Sequence, residues 1–197
     1  GGAGIGGSSL PGGTGTNSGT SSWTRGKTSS SRLEADWQTP RVSAEKRLEI
    51  QAALKELRGD DPRPLLILRD CEGCKNKEGD LLKRTLVEER TLLASGWFHC
   101  VRFSHEVMNP EHPFHVLFDH ERHPHIAMSS WDMKTFVQVH RASPKELWKS
   151  MKRVLGKDYK KSAESATKNL AKLLGEYDAI DDREAALQEQ LSTKRER

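Results

Sequence analysis

No stretch of this 197-residue chain is apolar for long enough to cross a bilayer as a helix, which takes about 18 to 20 consecutive apolar residues, so no membrane span is expected. Cysteine is scarce. Three thiols cannot all pair within one chain, which argues against a disulfide scaffold and leaves a close pair, Cys71 and Cys74, with a single thiol at Cys100. Charge of one sign is lacking as well: 32 basic residues stand against 28 acidic ones, and the signs are mixed along most of the chain. Without a basic stripe interleaved with aromatics, nucleic acid is not an expected partner. There is no GxSxG, no Walker-type phosphate loop and no evident pair of catalytic carboxylates, and nothing in the residues asks for an organic cofactor. The chain opens at Gly1 rather than Met, which reads as a processed or excised product; this leaves the compartment open, an extracytoplasmic one included.

Apolar residues are nearly missing from positions 1–32, a Gly, Ser and Thr tract that cannot offset its own backbone entropy. Residues 1–40 are therefore expected to be a disordered linker, with Trp23 loose and Trp37 packed on the edge of the folded domain. From Ser43 the pattern becomes helical: Ser43 can cap, Leu48, Ala52, Leu54 and Leu57 form a face, and Gly59 and Pro62 end a helix over 44–58. PLLILRD, from Pro64, is short, apolar at consecutive positions and bounded by breakers. This pattern predicts a central strand covered on both faces.

GDLLKRTLVEERTLLASG predicts a helix over 80–95 closed at Gly96, and WFHCVRFSHEV a second strand with Cys100 buried in it. HPFHVLFDHERHPHIAMSS predicts a third strand over 113–118 and a fourth over 124–129, joined as a hairpin. In SPKELWKSMKRVLG, Ser143 and Pro144 are a cap and first-turn pair, and Leu147, Trp148, Met151 and Leu155 share one helical face. These elements predict a mixed four-stranded α/β sheet flanked by helices, over 41–156.

Residues 157–197 form a charged helical tail. Tyr159, Ala163, Ala166, Leu170, Leu173, Tyr177, Ile180, Glu184, Leu187 and Leu191 step by alternating four and three, which is heptad spacing. One or two helices are expected there, folded back on the domain or self-associating with another copy.

The stretch LLILRDCEGCKNKEGD carries the chemistry. A CxxC on a turn that leads into a helix can hold an attacking thiolate, here Cys71, beside a resolving thiol, Cys74. Arg69, Lys75 and Lys77 favour the thiolate, whereas Asp70 and Glu72 oppose it. Asn76 and Gly79 are poor in a first helical turn, so the next helix is expected to begin near Asp80. Metal is the alternative, because all eight histidines fall between His99 and His140 and imidazole with thiolate suits zinc or copper. His123 and His125 would share a strand face, with His115 one strand away. A second CxxC or an HxxxH partner is absent from the sequence, and solvent-facing histidines remain the simpler reading.

The element order, the CxxC after the first strand and the X-Pro at His112 and Pro113 together resemble the thioredoxin-like fold family over roughly residues 44–156, with CEGC where the family usually has CGPC. In that family a cis proline faces the cysteine pair and opens the strand equivalent to the one expected from residue 113, a role the resemblance assigns to Pro113. The resemblance implies thiol:disulfide exchange or redox sensing on a protein partner, as a thiol-disulfide oxidoreductase, through Cys71, Cys74 and Pro113. A redox-inactive interaction module of the same fold and a Cys/His metal-binding protein are the alternatives.

Overall fold

The computed structural model describes residues 25–41, 46–70, 77–141 and 143–195. Its centre is a five-stranded mixed sheet: β1 (Trp37–Gln38), β2 (Leu65–Arg69), β3 (His99–Phe103), β4 (Ile126–Ser129) and β5 (Phe136–Val139), in the spatial order β1-β3-β2-β4-β5. Strands β1, β3 and β2 run parallel, whereas β4 runs antiparallel to β2, and β5 antiparallel to β4. As its unbroken apolar run predicts, β2 is buried at every position and lies between two neighbours.

Alternation along β2 feeds two cores. Leu66 and Leu68, with Cys100, Ile126 and Met128, pack beneath α3 (Lys77–Leu86), α4 (Glu89–Ser95) and α5 (Pro144–Asp158). Leu65 and Ile67, with Val101, Phe103 and Ala127, face α2 (Ile50–Arg58) and the 3-10 turns that come after β3. Ser143 caps α5 by accepting from the Glu146 N–H at 3.3 Å, and Leu147, Trp148, Met151 and Leu155 are buried as their spacing predicts.

Four expectations are corrected. The segment 113–118 is not a strand but carries a 3-10 turn at His115–Leu117; Phe114, Leu117 and Phe118 recur at helical rather than alternating spacing, and all three point into one core. The hairpin is therefore β4 with β5, turned through Ser130–Thr135, where Asp132 Oδ1 accepts from the Ser130 hydroxyl at 2.7 Å and the Lys134 N–H at 3.1 Å. The sheet thus has five strands, not four. The helix expected over 80–95 is two: α3 ends at Leu86, and Glu88 restarts the chain as the cap of α4, its carboxylate accepting from the Thr91 N–H at 3.1 Å. Finally, α2 begins at Ile50, because the preceding Leu48 N–H is given to the Pro113 carbonyl at 2.9 Å and Glu49 is extended. Ser43, its expected cap, lies outside the described residues.

The end of the Gly/Ser-rich tract is ordered by contacts distant in sequence. Arg25 binds the Glu89 carboxylate at 2.6 and 2.8 Å and reaches Asp178 at 3.1 Å, seating α1 (Lys27–Ser30) on α6 (Ala163–Arg195), while Trp37 pairs along the β3 edge of the sheet. The tail is one helix, α6, whose first half packs on α4 and α5. Among the described residues no helix is long and apolar enough to cross a membrane.

Candidate functional site

In open α/β sheets, the carboxyl ends of parallel strands are where functional loops gather, because the helices begin there. The central strand β2 ends at Arg69, and Asp70 leads directly into Cys71. Cys71 and Cys74 themselves lie outside the described residues, as do Glu72, Gly73 and Lys75; α3 is described from Lys77, ahead of the Asp80 start expected from the sequence. The described residues on either side of the pair form its frame.

That frame is held tightly. The Asp70 N–H donates to the Phe103 carbonyl at 2.8 Å on one side, and the Arg69 N–H to the His125 carbonyl at 2.8 Å on the other. The Arg69 side chain is buried, its guanidinium donating to the carbonyls of His123 at 2.8 Å and Pro124 at 3.4 Å. Arg102 Nε donates to Asp70 Oδ1 at 2.7 Å, so one of the two carboxylates adjacent to Cys71 in sequence is offset by a guanidinium. Of the two acids that oppose a thiolate at Cys71, Asp70 is thus paired, and a buried cation stands one residue further back.

Pro124, not Pro113, is the proline of this frame. Pro124 is buried and precedes β4, the antiparallel neighbour of β2, at the end where β2 leads into the cysteines. Pro113 is buried in the 3-10 region on the α2 side, where its carbonyl holds the Leu48 N–H. HPHIAMS places a proline just before a short apolar run, whereas the β-like look of 113–118 points to the earlier X-Pro. Among the described residues there is no cis peptide bond.

No family model, curated protein or solved structure matches this chain.

Cys100 is removed from thiol chemistry. It is buried on β3 with Sγ 3.5 Å from the Ser95 carbonyl, and burial pushes its thiol up to about 12, against a smaller opposing pull from Arg63. Any thiolate chemistry at neutral pH therefore falls to Cys71 and Cys74.

The histidines, close in sequence, separate in space. His99 stands at the other end of the sheet with Nδ1 3.0 Å from Asp61 Oδ2, and His105, His112 and His115 belong to the 3-10 region. His112 Nδ1 accepts from the Phe114 N–H at 3.2 Å, a local turn contact. His120 and His140 lie with ring centroids 4.2 Å apart and planes tilted by 38° near the start of β4; partial desolvation first, then the charges of His120 and Arg122, holds His140 below its ordinary value. His123 is exposed in a left-handed turn at φ 40 and His125 is half-buried, so the strand that would align them begins only at Ile126. Among the described residues no three His, Cys, Asp or Glu side chains are grouped to hold a metal.

Proposed function

We propose that this chain is a thioredoxin-like protein that performs thiol:disulfide exchange or redox sensing on a protein partner through Cys71 and Cys74. One observation carries the reading. The central strand of a β1-β3-β2-β4-β5 sheet runs into a CxxC, and a buried proline opens the antiparallel strand beside it. Helices α3, α4 and α5 on one face, with α2 and the 3-10 turns on the other, agree with the same fold.

The Cys71 thiolate attacks one sulfur of the partner's disulfide, that S–S bond breaks, and the departing partner thiolate takes up a proton. Cys74, deprotonated, then attacks the Cys71 sulfur and releases the second partner thiol, leaving a Cys71–Cys74 disulfide and a reduced partner. A dithiol reductant restores the pair by the same exchange in reverse. Arg69 favours the attacking anion, the Arg102 pairing offsets the opposition of Asp70, and Pro124, in place of Pro113, would border the groove that takes the partner's chain.

A second reading, a redox-inactive interaction module, is favoured by the uncovered apolar side chains of α6. Both are tested together by equilibrating the full chain in glutathione buffers spanning roughly −300 to −120 mV and scoring alkylated thiols by mass. The redox reading expects a reversible Cys71–Cys74 disulfide, loss of partner-disulfide reduction in Cys71→Ser and a trapped mixed disulfide in Cys74→Ser, with Cys100 unmodified until the chain is denatured. A pair that stays reduced throughout leaves the interaction module. A stoichiometric metal lost in both serine variants would replace either reading.

A further inference from the structure

Helix α6 has two different sides. Thr167 and Leu174 are buried, the Leu174 carbonyl accepts from the Ser29 hydroxyl at 3.2 Å, and Asp178 holds Arg25, so this side belongs to the domain. The adjacent side is open: Leu170, Leu173, Tyr177, Ile180, Leu187 and Leu191 are exposed, from 36% at Leu170 to 61% at Leu191. Scattered apolar residues are normal on a surface; six large ones on one stripe of one helix are not. Their spacing alternates three and four, with Ala166 and Glu184 in the same register, which is the seam of a coiled coil.

We propose that this stripe binds a second copy of the chain, with the two α6 helices packed antiparallel. The seam complements itself. Setting Tyr177 opposite Ile180 of the second copy brings Leu170 opposite Leu187, Ala166 opposite Leu191 and Leu173 opposite Glu184, and the two-fold axis repeats each pair. From Ala166 to Leu191 the seam is about 38 Å long at 1.5 Å per residue.

Charge selects the direction. In the antiparallel alignment Glu176 flanks the seam opposite Arg183 of the second copy, twice by symmetry. Arg183 has no carboxylate partner among the described residues, and Glu176 has only Lys172, at 3.6 Å on the open surface. A parallel alignment would instead stack Glu184 on Glu184 within the seam and set Glu176 beside Asp181, like charges at both places. Arg32 lies over the Tyr177 ring at 4.8 Å and leaves that side chain 43% exposed, so the edge of the seam remains open.

Sedimentation of the full chain over about 1 to 100 µM tests this, with a concentration-dependent monomer–dimer equilibrium expected. Ile180→Glu should weaken the dimer by about 100-fold or more while circular dichroism shows the domain still folded. Glu176→Arg and Arg183→Glu should each weaken it about tenfold; the double variant should restore it, and mixing the two single variants should give a heterodimer. A chain monomeric throughout, with the stripe left for a different protein's helix, would overturn the proposal. So would a dimer indifferent to Ile180→Glu, or one that the charge reversals do not affect.

Discussion

The Arg69 guanidinium meets the His123 carbonyl at 2.8 Å, so a buried cation fastens the end of the central strand to the turn that opens β4. Its Nε adds the Pro124 carbonyl, and no other side chain binds both of these main-chain oxygens among the described residues. Arg69→Leu should therefore leave two carbonyls without their donor and lower stability by about 2 to 3 kcal/mol, read by urea unfolding. Arg69→Lys keeps the charge but not the forked geometry and should fall between. Equal stability of Arg69→Leu and wild type would show that the two bonds contribute nothing net.

The two prolines should separate by function. On the proposed redox reading, Pro124→Ala disturbs the edge of the partner groove and should slow partner-disulfide reduction by about tenfold. Pro113→Ala, on the α2 side, should lose about 0.5 to 1 kcal/mol through added freedom of the unfolded chain and leave the rate alone. The opposite ranking in a turnover assay would return the role to Pro113.

Acid stability should depend on Asp61. Arg63 binds its carboxylate through Nε at 3.0 Å and a terminal nitrogen at 2.7 Å, and this bond first, with the Arg63 N–H at 2.9 Å, holds the group at about 2, below its ordinary value of 3.8. A carboxylate depressed on folding stabilises the native state above its unfolded value, and that stabilisation is lost as pH falls through the folded one. On the order of 2 kcal/mol should then disappear between about pH 4 and pH 2. Asp61→Asn should flatten that part of the stability profile, measured by thermal melts across the same range.

Arg25 should anchor the tail. Its guanidinium is mostly buried between Glu89 and Asp178, and the hydrogen bond to Glu89 is the main reason its proton is held more firmly than usual. Arg25→Ala should leave two carboxylates facing each other without a cation, costing about 1.5 to 3 kcal/mol of local stability. Faster amide hydrogen exchange over 163–178, with the sheet unaffected, is the expected reading; unchanged exchange there would show that α6 is seated without Arg25.

Short stretches of the chain set the local elements. The unbroken LLILR run made β2 a buried central strand, Ser143 and Pro144 started α5 where the spacing of Leu147, Met151 and Leu155 asked for it, and the heptad register of 163–191 pointed to one or two helices with an apolar stripe, which are one helix, α6. Each of these rests on residues within a few positions of one another, where periodicity and capping act. Only tertiary structure decided what lies beside what. It paired β4 with the unforeseen β5, because the turn at Asp132 and the burial of Val139 outweigh the β-like look of 113–118, whose apolar residues serve the core at helical spacing. It tied Arg25 to Glu89 and Asp178, and it set Pro124 rather than Pro113 next to the strand that runs into Cys71. Such contacts join residues far apart in the chain, and their energy comes from burial and charge pairing that no short window of sequence contains.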